Sequence, residues 1–468
     1  MTTVTPTART ASTATVAELL SRLGFPPSGP GPAWLTQARH ASVEWATMRG
    51  FPTLKDEDWK YTRLEAIGEV PFVPAAPGID HRLLSTTIDE RVGDLGGPRL
   101  VFINGHFAPE CSRRAALPNG TTVTSLASAL AVGGEQLRWL SRRTPRPYRH
   151  AFSALNAAVA EDGALIRVPA GTIIDEPIEL AFFSHTGGIP LVSSPRSVIL
   201  AGPDSAVTIV ETHAGTHGDL YWSNGVVEVV LDEGACVEHY TVQDEAETAF
   251  HLALMDVRQA QGSRFRSHSV ALGSSIARHE VHVSLEGEGS EVDLEGLYLP
   301  RGDQQHDNPI LIEHMAPGCT SRQLYKGIVD GGAHGVFNGH IIVRPGAFGT
   351  DASQTNKNLL LSDHAEVDTR PRLEIFADDV QCTHGAAVGR LDEDALFYLR
   401  SRGIPEQEAR GVLTYAFARE MVTRCPSAVV RARMEHLIAD RLTTGANEPV
   451  MDSRLTSEIR SVKGGRSK

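Results

Sequence analysis

At 468 residues the chain can bury a large core and hold several domains. Its formal charge of −13 excludes a protein built as a whole to bind nucleic acid or an anionic membrane. Its 43 glycines and 27 prolines make it rich in turns, without the composition of a collagen or a disordered chain.

The first elements are helical. Residues 1–13 read as a disordered tail, rich in Thr, Ser and Ala, with a transit peptide as the alternative reading. Thr15 to Leu23 reads as a short helix closed by Gly24 and Pro26-Pro27, and Trp34 to Met48 as a second. Leu54 to Leu64 mixes charges around Trp59 and Tyr61, and reads as a segment whose rings pack on the next domain. Arg99 to Gly105 looks like a strand ending at a turn, and Ser125 to Val132 and Ala151 to Ala160 look helical. Residues 14–160 are therefore expected to form a mainly helical N-terminal domain.

The pattern changes at Asp162-Gly163. From there to about residue 390, short apolar runs are broken by Gly, Asp, Asn and Pro, and no helix of usual length fits between them. Runs such as His279 to Leu285 alternate with β-branched residues, as strands with one buried face do. Gly234, Gly262, Gly289, Gly318 and Gly346 close such runs at intervals of 28, 27, 29 and 28 residues. A period in this range implies stacked coils sharing one core, which predicts a parallel β-helix over 161–390. A β-sandwich is the competing fold, and Asn-Gly pairs at Asn104, Asn119, Asn224 and Asn338 would suit its hairpins.

After Asp392 the periodicity becomes helical. Glu393 to Arg402 is one helix ended by Gly403. A second begins at Pro405 and runs to about Thr423, and a third spans Ser427 to Asp440. Residues 391–440 thus form a C-terminal helical domain, either a docking module or a cap on the open end of the solenoid. Residues 441–468 read as a loose tail.

The five cysteines, Cys111, Cys236, Cys319, Cys382 and Cys425, contain no pair spaced for a zinc finger or a ferredoxin cluster. Their low density and odd number suit a reducing, cytoplasmic setting. No run of 18 apolar residues predicts a membrane span. The chemistry worth following lies in Asp378-Asp379-Val380-Gln381-Cys382-Thr383-His384-Gly385-Ala386. Cys382 and His384 share one side of a strand, and thiolate and imidazole are both ligands for iron or a sulfur-bridged cluster. Two ligands do not complete a site, so a second protein is needed to finish it. Many histidines fall in the repeat region: His239, His251, His268, His279, His282, His306, His314, His334, His340 and His364. Stacked coils would align some of them into a ladder or groove. No phosphate-binding loop, dinucleotide fingerprint, His-Glu-x-x-His or nucleophile elbow is present, so the chain reads as a non-enzyme. Solenoids of this kind also serve as carbohydrate-active enzymes, but Asp378 and Asp379 are adjacent and would face opposite ways in a strand.

Several long segments carry a family resemblance. They are Ser321 to Val329, Val336 to Ile341, Gln354 to Leu361, Pro371 to Val380, Cys382 to Gly385, Asp394 to Ile404 and, near the start, Glu57 to Thr62. In these the chain resembles the SufB/SufD family of iron–sulfur cluster assembly proteins, on the SufD-like side through Leu361 to Asp368 and the Cys-Thr-His-Gly run. A SufB-like scaffold remains the alternative within the family. The resemblance implies a right-handed parallel β-helix with helical domains at both ends. It implies pairing with a SufB-like scaffold through the β-helix, and a SufC-like ABC ATPase docked on the C-terminal helices, with a sulfur donor as a further partner. It places a nascent iron–sulfur cluster, or transient iron, at His384 beside Cys382, with the principal cysteine supplied by the SufB-like chain. No cofactor is expected to stay on the isolated chain.

Overall fold

The computed structural model describes residues 16–23, 32–62, 64–76, 84–134, 137 and 149–443. The tail expected at 1–13 lies outside these residues, as does the one expected at 441–468 apart from 441–443, which continue the last helix. From residue 164 onward, strands of 8 to 11 residues alternate between two sheets with few exceptions. In the first sheet the successive strands are Tyr221–Leu231, Phe250–Gln259, Ile276–Leu285, Gln305–His314, His334–Val343 and Glu366–Ile375. In the second they are Ala206–Gly215, Cys236–Asp244, Arg264–Ala271, Glu291–Tyr298, Thr320–Val329, Asp351–Leu360 and Gln381–Gly389. Every pairing among them is parallel and in register, so the chain climbs one coil at a time. This is a parallel β-solenoid flanked by N- and C-terminal helical regions.

The glycine period has the cause expected of it. Gly234, Gly262, Gly289, Gly318 and Gly346 sit at the corners with φ between +62° and +88°, the left-handed region in which a Cβ is unfavourable. The Asn-Gly pairs divide. Asn104-Gly105 makes the tight turn between Arg99–Ile103 and the antiparallel His106–Phe107, with φ of 53° and 84°. Asn224 and Asn338, by contrast, lie in mid-strand, so the hairpins of a β-sandwich are absent there.

Alternation sorts the side chains. On one side, Val207, Ile209, Val229, Val257, Val283, Ile312 and Ile341 fill the space between the sheets. On the other, Val210, Tyr240, Val270, Leu297, Ile328 and Leu359 pack outward against Met421, Val422, Cys425, Met434 and Ile438 of the C-terminal helices. Those helices are Glu393–Ser401, Glu406–Thr423 and Ala428–Thr443. Asp392 caps the first by accepting from the amides of Asp394 and Ala395. They lie along the flank of the second sheet, which sets aside the alternative in which they cap the solenoid's end. Lys326 pins them. Its buried amino group donates to the carbonyl of Phe417 at 3.0 Å, pairs with Glu420, and sits 4.2 Å over the Phe417 ring.

The N-terminal part supplies both helices and strands. Arg99–Ile103 joins the second sheet beside Ile178–Ser184, and Thr122–Ser125 joins the first beside Ala164–Val168. The helices Ala33–Arg49 and Ala151–Val159 pack on the outer face of the first sheet through Phe152, Leu155 and Trp222. Trp59 is buried there, with the Arg278 guanidinium 3.7 Å above its ring and Phe152 at 5.4 Å.

Two glycines separate backbone strain from crowding. A Cβ at Gly287 would collide with the backbone of Ala260 and Gln261, whereas at Gly262 it would meet nothing within 4 Å. Gly262→Ala should cost about 1–2 kcal/mol, for its left-handed φ alone. Gly287→Ala should lower the denaturation midpoint distinctly further, measured by urea titration of both variants.

Candidate functional site at the open end of the solenoid

The last strand of each sheet, Glu366–Ile375 and Gln381–Gly389, has a neighbour on one side only; among the described residues no further strand pairs with either. Their side chains are half-buried or exposed, where the preceding strands are mostly buried. The backbone bonds show which groups are bare. The amide of Gln381 donates to the carbonyl of Thr350 and that of Glu366 to the carbonyl of Ala333. Direction alternates along a strand, so the amides and carbonyls of Cys382, His384, Ala386 and Val388 face the open side. So do those of Val367, Thr369, Leu373 and Ile375. Pro371 occupies the same edge-facing parity and has no amide to offer. The edge of the second sheet is thus continuous in donors, and that of the first is interrupted.

Cys382 and His384 lie on this continuous edge. In register they cover Ala352 and Gln354, both buried inside the solenoid, so their side chains belong to the interior face of the final coil. Cys382 is half-buried and packs against the core, while His384 is exposed because no later coil covers it. Burial pushes the Cys382 thiol up, and the nearby Asp351 carboxylate adds to the rise. The thiol is therefore protonated at neutral pH in the uncovered chain. Beneath His384 the interior is polar. Gln354 donates to Gln323 at 2.6 Å and leaves its own Oε1 without a partner. A separate group runs from Tyr298, which donates to Asn358 at 2.5 Å, to Asn356, which accepts from Asn358 at 2.6 Å.

The histidines expected to align do so only in part. His251 and His279 meet inside the solenoid as tilted rings with centroids 4.7 Å apart. His213, which the sequence reading missed, meets His251 at 4.8 Å. Glu211 accepts from His213 and His239 at 2.8 and 3.1 Å, and Glu245 lies 2.8 Å from His251. Burial acts to raise the Glu211 carboxyl, but its two histidine donors outweigh that and hold it well below the usual range. Burial lowers His306 to about 3, and its ring bonds the Gly273 carbonyl at 2.9 Å. His268, His282, His334 and His340 face outward, each beside a carboxylate. His314 bonds Ser321 at 2.9 Å, and His364 lies in the turn before the last strand of the first sheet. The missed residues Glu211, His213 and Glu245 shared one signal: they keep the inward parity of Val207 and Ile209. Asp378 and Asp379 are in the turn before the final strand, with φ of 56° at Asp379, so the strand geometry assumed for that pair does not apply. Among the described residues, no three His, Cys, Asp or Glu side chains converge as a metal site.

Comparison with known proteins adds to this geometry. A family model described as the SufBD core domain of the SUF system for FeS cluster assembly matches residues 182–417, and one for the SufBD N-terminal region matches 31–180. The chain belongs to the SufBD family. It is 32% identical over 424 residues to an iron–sulfur cluster assembly SufBD family protein of Synechocystis, covering 88% of this chain and 92% of that one. It is 31% identical to the iron–sulfur cluster assembly protein SufD of Escherichia coli, over 85% of this chain and 90% of the relative. It is 30% identical to the chloroplastic protein ABCI7 of Arabidopsis thaliana, over 85% and 84%. A SufD-like member of a SUF system is thus in hand, and none of its described helices is long and apolar enough to cross a membrane.

The raised thiol of Cys382 has a measurable consequence. Alkylation by iodoacetamide needs the thiolate. In the isolated chain at pH 7.5, Cys382 should react more slowly than a free thiol, and faster as pH rises. Asp351→Asn removes one of the two causes and should speed the reaction, as read by peptide mass spectrometry.

Proposed function

We propose that this chain is a non-catalytic, SufD-type scaffold subunit acting in the cytoplasm to build iron–sulfur clusters with a paralogous SufB-like scaffold. The observation that carries the reading is the bare, donor-continuous edge of the second sheet with His384 and Cys382 on its inner face. A partner strand laid along this edge would satisfy its backbone groups by β-augmentation. It would also bring a second set of side chains over His384. Iron and sulfide are the cargo of such a joint site. His384 would serve as one ligand or stabilising group, with Cys382 beside it and the remaining ligands from the partner. A neutral imidazole is a suitable ligand for iron.

The C-terminal helices support the second contact. Their inner face is spent on the solenoid, yet Phe397 is 72% exposed and Tyr398 56% exposed. Large aromatics are enriched where proteins meet. A SufC-like ABC ATPase docked here would be coupled to the second sheet through Lys326 and the apolar seam, which is how nucleotide-driven movement would reach the edge bearing His384. A sulfur donor would complete the assembly.

The test is copurification with a tag on this chain, followed by anaerobic iron and sulfide analysis. A SufB-like scaffold and an ABC ATPase should be recovered together with labile iron and sulfide. His384→Ala should keep the complex and lose most of the iron and sulfide; full retention of both would remove His384 from the site. Ala386→Pro deletes one edge-facing amide without touching the strand's own ladder. It should cut recovery of the scaffold partner at least about ten-fold while leaving the ATPase bound. Phe397→Ser should do the reverse.

A further inference from the structure

One inward column of side chains runs through the second sheet to its bare end. In register it reads Leu294, Gln323, Gln354 and His384. Leu294 is apolar, so the polar part of the column begins at Gln323. Its one bond runs from Gln354 Nε2 to Gln323 Oε1 at 2.6 Å. That bond turns the Gln354 nitrogen toward Gln323 and leaves the oxygen over. Oε1 is buried and has no partner, on a side chain only 1% exposed. A buried acceptor left empty costs about 1–3 kcal/mol.

The amide is held in place from across the interior as well. Gly339 lies on the facing strand His334–Val343, and a Cβ there would collide with the Gln354 amide and the Phe337 ring. The neighbouring amides are otherwise engaged. Asn358 donates to Asn356 and accepts from Tyr298, and Asn356 donates to the Tyr325 carbonyl at 3.1 Å. The empty acceptor thus belongs to Gln354, one coil below His384. His384 stands over it in register, exposed, with no later coil on top. Its ring can turn about two side-chain torsions without moving the strand. A neutral imidazole has one N–H and one lone pair, on different ring nitrogens. Metal-binding histidines donate that N–H to a carbonyl or carboxylate, which fixes the tautomer and aims the other nitrogen. Gln354 Oε1 is a carbonyl oxygen placed to receive it.

We infer that Gln354 is a positioning residue for His384. When a partner strand covers the final coil, the ring closes onto Gln354 Oε1, donates its N–H there and presents its remaining lone pair to iron in the joint site. Covering supplies the driving force, because the N–H then loses its water and needs another acceptor. The same step gives the empty oxygen a partner. The inference rests on the cluster-assembly reading of His384.

The test uses the copurified complex, stripped of iron anaerobically and titrated with ferrous iron against a competing chelator. Gln354→Met fills the same space without an acceptor and should lower iron affinity at least about ten-fold. Gln354→Glu keeps an accepting oxygen, and Gln323 has an unpartnered Nε2 to donate to it, so its affinity should stay within about three-fold of the parent. In a His384→Ala background, Gln354→Met should add less than about two-fold, because the two residues act as one unit. The double variant Gln323→Met/Gln354→Met replaces both amides and guards against a fold defect. It should match Gln354→Met in affinity, with an unchanged circular dichroism spectrum. With His384→Ala losing iron, three results would each overturn the inference: parent-like affinity in Gln354→Met, a loss in Gln354→Glu as deep as in Gln354→Met, or losses that multiply in the His384→Ala background. If His384→Ala keeps its iron, the reading of His384 itself fails, and the inference falls with it.

Discussion

In a parallel solenoid the backbone of each coil is satisfied only by the coils on either side of it. That dependence organises the molecule. It fixes a constant register over successive strands, which in turn keeps one parity of side chains inward from Val207 to Val388. It forces the chain to turn at the same places, where glycines with positive φ recur. It also means that the stack cannot end without a strand whose amides and carbonyls have nothing to bond. At the N-terminal end the problem is met by the chain itself, with antiparallel strands at Thr122–Ser125 and His106–Phe107. At the C-terminal end the helices turn aside to cover a flank, and the edge is left for something else to cover.

The interior is divided along its width. Near the glycine corners it is aliphatic, and the hydrophobic burial there supplies the driving force for stacking. Toward the other side it is polar, with Glu211, His213, Glu245 and His251 in one group and Gln323, Gln354, Asn356 and Asn358 nearer the open end. Such groups are tolerable only because they bond one another from coil to coil. The proposed cluster site therefore stands on a polar floor. His384 rests over Gln354, whose spare oxygen can accept a hydrogen bond, while Cys382 rests over Ala352 and the aliphatic part.

Much of this was legible in the sequence, and for stated reasons. Glycine spacing and alternation are local signals, and they gave the solenoid and its helical flanks. The three C-terminal helices matched their expected spans to within a few residues. Family segments pointed to Cys382 and His384, and the register then assigned their face. What the sequence did not disclose depends on which strands become neighbours. The edge-on contact of His213 with His251, the linkage of Arg278 to Asp307 and Trp59, and the approach of His150 to Glu280 join residues far apart in the sequence. The Asn-Gly pairs show the same limit, since Asn104 makes a turn and Asn224 a strand, and the dipeptide alone cannot distinguish them.

Pro371 gives the two bare strands different fates. A chain that exposes a long strand edge is a template for any other exposed strand, including that of a second copy of itself. With Pro371 in the first sheet, only one edge is sticky, so self-association has one row of hydrogen bonds to work with. That lowers the hazard without removing it, because the edge of the second sheet remains continuous in donors. If a partner strand covers that edge, as proposed, the chain without it would be the species most prone to precipitate.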